Sequence, residues 1–178
     1  MAESISNPAD ENSLYTDFFE TLDIPDLVNM TNGLMQSRVA DYLKNRTEIN
    51  MSKEPFVQYS VGEFKKLFKF CKKIKELNFS RCTWLTDAHL GSVILNNIQT
   101  LETVNLKFCK QITLDAVQKL AKCPNLITFS LDSRTLYGRN WNETEKFIQT
   151  MDTDNNFKIH SFLSFTTFER CPQNKKKI

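Results

Sequence analysis

The sequence predicts an α/β fold in which short parallel strands form an inner layer and helices the outer one. Two observations carry this. A pattern of apolar residues and one cysteine recurs 27 residues later, and part of it recurs after a further 25. Within each unit the apolar spacing changes from a period of two, as in a half-buried strand, to the i, i+3, i+4 spacing of a helix.

The elements follow in order. Ile74, Leu77, Phe79, Cys82, Leu85 and Thr86 correspond to Leu101, Val104, Leu106, Cys109, Ile112 and Thr113. The helix after each strand obeys the same shift, since Leu90, Val93 and Ile94 become Val117, Leu120 and Ala121. A third unit begins with Leu126, Phe129 and Leu131, then fades: Arg134 stands where the cysteine is due, and Tyr137 holds the next apolar position. Upstream, Phe68, Cys71 and Ile74 match Leu120, Cys123 and Leu126, so the array is expected to start near Ser60 with a helix alone. Thr86 and Thr113 suit N-caps, and Ser60 with Glu63 reads as a capping box. Asn142 and Glu145 mark another helix, running to about Met151. Residues 157–162 form a candidate fourth strand of open register. A unit of this length with one strand and one helix is a leucine-rich repeat. It cannot bury its own apolar edge, so the units must stack into an arc of about three strands.

Composition bounds the function. The chain has 178 residues, 40% hydrophobic and 25% charged, which excludes a wholly disordered chain and allows a core without metal or disulfide staples. Lys+Arg 23 against Asp+Glu 21 is too balanced for a dedicated nucleic-acid binder. No apolar run approaches the roughly 18 residues of a membrane span. Residues 1–11 are polar and acidic, unlike a signal or transit peptide. Five cysteines without a C-x-x-C pair suit free, buried thiols in a reducing compartment, so a cytoplasmic protein is expected, with the nucleus as the alternative. With four glycines, and no G-x-x-x-x-G-K loop or G-x-S-x-G elbow, the chain offers no phosphate cradle and no nucleophile elbow. Cys82 and Cys109 have no histidine at ligand spacing, the only two being His89 and His160. A non-catalytic protein with no metal or cofactor is expected. Lys65, Lys69 and Lys72, with Lys66 and Lys73 beside them, read as a solvated helix face. Cys171 is expected to be the most exposed thiol.

The organisation is then a flexible acidic leader (1–13), a helical segment (14–43) broken at Asp23-Ile24-Pro25-Asp26, a polar linker (44–59), repeats with a C-terminal cap (60–165) and a basic tail (166–178). Strand residues that alternate with the core face the concave side: Glu76, Asn78 and Ser80; Thr103, Asn105 and Lys107; Thr128, Ser130 and Asp132. They form a polar grid that either meets a protein partner or is merely solvated. Arg81 and Phe108 occupy equivalent strand-end positions and make a candidate hot-spot pair, unless Phe108 packs under its neighbouring loop.

The runs Arg81-Cys82-Thr83-Trp84-Leu85-Thr86-Asp87, Phe108-Cys109-Lys110-Gln111-Ile112-Thr113 and Leu120-Ala121-Lys122-Cys123-Pro124-Asn125-Leu126 resemble the cysteine-containing leucine-rich repeats of F-box/LRR proteins. That resemblance covers roughly residues 60–137; Leu114 departs from it where an Asp is expected. The segment from Leu14 to Leu27 resembles the first half of an F-box. What this implies is a small helical F-box-like unit ahead of the arc. It would dock a Skp-type adaptor and its cullin ligase through Leu14, Phe18, Phe19, Leu22, Pro25 and Leu27. The chain would then be the substrate-recognition subunit of an SCF-type ubiquitin ligase, directing an unidentified protein to degradation. Asp10-Glu11 replaces the family's opening Leu-Pro, so a second reading stays open: a repeat scaffold or assembly factor in which the segment only caps the sheet.

Overall fold

The computed structural model describes residues 19, 24–30, 36–53, 55–137, 141–153, 157–161 and 164–171. Its fold is mixed α/β. Helices α1 (Ile24–Met30) and α2 (Gln36–Asn45) lead into strand β1 (Glu48–Asn50) and helix α3 (Val61–Phe70). Three more strands alternate with helices: β2 (Glu76–Asn78), α4 (Asp87–Asn97), β3 (Thr103–Leu106), α5 (Leu114–Ala121) and β4 (Thr128–Asp132). Helices α6 (Ser133–Tyr137) and α7 (Trp141–Thr153) and strands β5 (Phe157–Ser161) and β6 (Phe165–Arg170) complete the chain. Among the described residues the six strands form one sheet in the order β1-β2-β3-β4-β6-β5. The first four run parallel, and β6 is antiparallel to both β4 and β5.

The strand register reproduces the sequence repeat. Leu77 pairs with Val104, and Val104 with Phe129, at the shifts of 27 and 25 read above. Each is buried, as are Phe79 and Leu106, so one apolar face of the stack is continuous. Hydrogen bonds carry the ladder past the strand ends, with Phe79 N donating to Asn105 O at 2.9 Å and Arg81 N to Lys107 O at 2.9 Å.

The cysteines fasten neighbouring units. The Cys82 thiol donates to the Met51 carbonyl at 3.6 Å, and the Cys109 thiol to the Phe79 carbonyl at 3.0 Å. A small thiol fits this crowded turn and still satisfies a buried acceptor. Asp87 makes a second tie: its carboxylate accepts from Thr113 N at 2.8 Å and Thr113 Oγ1 at 2.6 Å, so one unit holds the N-cap residue of the next unit's helix, and Thr113 makes no side-chain cap bond of its own. Leu114, at the matching position one unit on, instead packs against the core. Ser60 and Glu63 form the expected capping box on α3. His89 is a satisfied core histidine. Its Nε2 lies 3.1 Å from the Tyr59 carbonyl, which can only accept, so Nε2 carries the proton and Nδ1 accepts from Thr86 N at 3.2 Å.

Burial pushes the Cys71 and Cys82 thiols up to about 12 and that of Cys123 up to about 11, and raises Cys109 as well. The unfolded chain releases these protons from about pH 8.5. The contribution to stability is therefore complete below that pH and declines as pH rises through the folded values. A melting temperature that falls steadily above about pH 9 is expected, and a flat profile would contradict the burial. In a thiol-reagent titration of the native protein, Cys171 should react fast and alone, with all five cysteines reacting in denaturant.

Four expectations need correction. The stretch 44–59, read as a linker, contains β1, whose Ile49 is buried and pairs with Leu77. The parallel stack therefore has four strands and starts with a strand, not a helix. Ile24, Pro25 and Asp26, read as part of a break, open α1, with Pro25 in its first turn, where a missing N–H costs little; Asp23 lies outside the described residues. Lastly, residues 166–170, assigned to a basic tail, belong to β6, in which Thr166 and Phe168 are buried.

The stack ends where the cysteine is lost. At Arg134 the chain turns into α6, and Asp132 Oδ1 accepts from Arg134 N at 2.8 Å. The β5–β6 hairpin then covers the open edge of β4. Phe168 stacks on Phe129 with centroids 4.6 Å apart and planes 5° apart, and Phe157 meets Phe129 edge-on at 5.2 Å. Arg170 fixes the hairpin to the end of α5, donating to Pro124 O at 2.6 Å and Ala121 O at 2.9 Å. At the other end α1 and α2 pack on α3. Their Leu27, Val39, Tyr42 and Leu43, together with Phe19, share the core of the repeats. No described helix is long and apolar enough to cross a membrane.

Candidate functional site

The strands project their polar residues onto the face opposite the helices. The register aligns them in rows across the sheet. Glu48, Glu76 and Thr103 form one row, and Asn50, Asn78 and Asn105 the next. Between them lies a shallow groove of about 230 Å³, lined by these six residues together with the backbone neighbours Ile49 and Leu77.

The asparagines are held alike. Asn50 Oδ1 accepts from Ser52 N at 3.0 Å, Asn78 Oδ1 from Ser80 N at 3.1 Å and Asn105 Oδ1 from Lys107 N at 3.1 Å. A backbone N–H can only donate, so the contacting atom in each case is oxygen. Each amide NH₂ is left over the groove without a partner among the described residues. The Glu48 and Glu76 side chains are exposed and have no hydrogen-bond or ion-pair partner there either. The ammonium of Lys75, adjacent to Glu76 in sequence, is held by Glu102 at 2.7 Å.

The face is closed towards β4. Ser130 is buried, its hydroxyl 2.9 Å from that of Thr167, so it is withdrawn from the open surface, and Asp132 is buried with it. Lys107 Nζ lies 3.9 Å above the Phe165 ring, a cation–π contact that closes the rim. Thr128 remains half-buried at the β4 end. Of the residues expected on this face, Glu76, Asn78, Thr103 and Asn105 come together in the groove, with Ser80 beside them at the end of β2.

Arg81 and Phe108 have positive φ, 70° and 64°, at equivalent repeat positions. Non-glycine residues are disfavoured there by about 1–2 kcal/mol. Arg81 is exposed, while Phe108 is half-buried and lies outside the hydrophobic core. Replacing Arg81 by glycine should relieve the strain, less the added chain entropy, and raise stability by roughly 0.5–1 kcal/mol in a urea melt. A loss of stability would mean that the side chain is held within the fold.

Sequence reasoning missed the β1 contribution, Glu48 and Asn50, and Lys53 in the turn after it. The signal was present, because Glu48-Ile49-Asn50 repeats as Glu76-Leu77-Asn78 at a shift of 28. It was hidden by Arg46 and Glu54 at the positions of Ile74 and Cys82.

The residues assigned to adaptor docking divide. Phe19 and Leu27 are each 1% exposed and face the chain's own core, Phe19 with its ring 5.2 Å from Tyr42. Pro25 lies in the first turn of α1, and Leu14, Phe18 and Leu22 lie outside the described residues. Of the lysines expected on one helix face, Lys65, Lys66 and Lys69 lie on α3 and are exposed, whereas Lys72 and Lys73 fall past its end; Lys72 Nζ donates to Asn96 Oδ1 at 2.5 Å and Lys73 Nζ to Asn45 Oδ1 at 3.0 Å. Among the described residues no group of His, Cys, Asp and Glu side chains could hold a metal ion. No protein-family model and no curated protein matches this sequence.

Proposed function

We propose that the chain is a non-catalytic interaction module of the F-box/LRR kind: a short leucine-rich-repeat arc that holds a protein target, preceded by a helical unit that docks a Skp-type adaptor. The role is substrate recognition for an SCF-type, cullin-based ubiquitin ligase that marks the target for degradation. The observation that supports it best is the repeat itself. Strand register recurs at shifts of 28, 27 and 25, cysteines 27 residues apart tie each of two units to the one before, and the open face between β1 and β3 carries polar groups that the chain leaves unpaired. The chain's contribution is positioning: holding a target beside a charged ubiquitin carrier raises the effective concentration without new chemistry.

Binding to purified Skp-type adaptor from the same organism tests the reading. Wild type should be retained and Phe18→Asp lost, with both proteins folded by circular dichroism. Failure of the folded wild type to bind would reject the ligase role.

The burial of Phe19 and Leu27 favours a second reading, a repeat scaffold in which the helical unit is a cap. Terminal units of a stack need such a cover. Under that reading both Phe18→Asp and wild type leave the adaptor unbound.

A further inference from the structure

The open half of the sheet face is electrostatically divided. Glu48 and Glu76 sit directly opposite each other on β1 and β2, and like charges in that arrangement repel. Glu76 feels the neighbouring Lys75 ammonium, which Glu102 holds, and neither glutamate has an ion-pair or hydrogen-bond partner of its own among the described residues. Five positions on, in the turns three residues past the ends of β1 and β2, stand Lys53 and Arg81, both exposed and likewise without a side-chain partner among the described residues. They share a repeat position with the half-buried Phe108, which has the same positive-φ turn as Arg81, so two cations and an aromatic ring stand at equivalent strand-end turns. The β2 ladder continues as far as Arg81 N, where the chain turns, so five residues at about 3.3 Å each set an upper limit of roughly 16 Å between the anionic and cationic ends. Between them the amides of Asn50, Asn78 and Asn105 offer a row of donors, which suits carbonyl oxygens.

We propose that this face takes an extended stretch of a partner protein with a basic side chain at one end and an acidic side chain about four or five residues away. The basic group seats between Glu48 and Glu76. The acidic group meets Arg81 and Lys53, and main-chain carbonyls accept from the asparagine amides. The inference rests on the interaction role proposed above and names the chemistry of the segment held.

The experiment uses the full chain and labelled peptides of Ser, Thr and Val carrying one Lys and one Glu. The charges are set two, five or eight residues apart, in both orders, with Lys-only and Glu-only peptides beside them. Fluorescence anisotropy is read at low and high salt, with NMR line broadening for millimolar affinities. The expected result is at least tenfold preference for the five-residue spacing in one of the two orders, lost at high salt. Glu48→Gln with Glu76→Gln should weaken that peptide tenfold or more, as should Arg81→Gln. Lys119→Gln, an exposed cation on α5, should leave it unchanged. Equal binding of single-sign peptides, wild-type affinity in the face variants, or no binding of any peptide would each overturn the proposal. Adaptor binding measured on the same preparation separates the two readings. Peptide failure with adaptor retained rejects only the inference, and adaptor failure with peptide bound rejects only the ligase role.

Discussion

Phe129→Ala is expected to destabilise the protein by about 4 kcal/mol, the range for a fully buried Phe with a partly collapsed cavity. Phe129 is 1% exposed and joins the two halves of the sheet. On one side it continues the row of Leu77 and Val104; on the other its ring stacks on Phe168 and meets Phe157 edge-on. Truncation forfeits the transfer energy of the ring and the aromatic contacts, which add about 0.5–1.5 kcal/mol beyond area burial. Urea unfolding checks this. The midpoint should fall and the antiparallel hairpin should lose protection from hydrogen exchange first. A change below about 1.5 kcal/mol, the cost of a mild core swap, would mean that the hairpin does not cover the end of the stack.

Phe19→Asp is the second large effect. The side chain is enclosed by the protein's own core, against Tyr42. A carboxylate placed there enters an apolar core, and an uncompensated buried polar group costs several kcal/mol. The helical unit is expected to detach or unfold, at a cost on the order of 4 kcal/mol. Leu27 and Leu43 would become exposed and bind a hydrophobic dye. A variant as stable as wild type would show that Phe19 lies on an outer surface instead. The same burial makes Phe19 a poor probe of docking, because a lost interaction would report lost folding.

How far the sequence could be read is clear from particular residues. Three strand units with their buried faces were legible because two long units agree at nearly every apolar position, and the register of Leu77, Val104 and Phe129 follows directly. Strand β1, no shorter than the legible β2, was hidden because charged residues flank it where apolar ones identify its sisters. Strand β6 escaped because its alternation of Thr166 and Phe168 is short and runs into a charged tail. Its place between β4 and β5 is a tertiary fact that no local pattern encodes. On the sheet face, alternation located Glu76, Asn78, Thr103 and Asn105, because period two is fixed by the pleat. It could not show that Ser130 is withdrawn by Thr167, a residue 37 positions away on another strand. The direction in which Phe19 points was equally hidden: a helix stripe shows that a residue is apolar, not which protein buries it.

The most direct test of the central claim is the mass of the complex formed when this chain is mixed with Skp-type adaptor and cullin, read by light scattering after size-exclusion chromatography. The account predicts one copy of each in a single peak. The Phe18→Asp chain should elute apart from the other two, while Glu48→Gln with Glu76→Gln should enter the complex normally. A folded wild-type chain that elutes alone would contradict the ligase role and leave a capped repeat scaffold in its place.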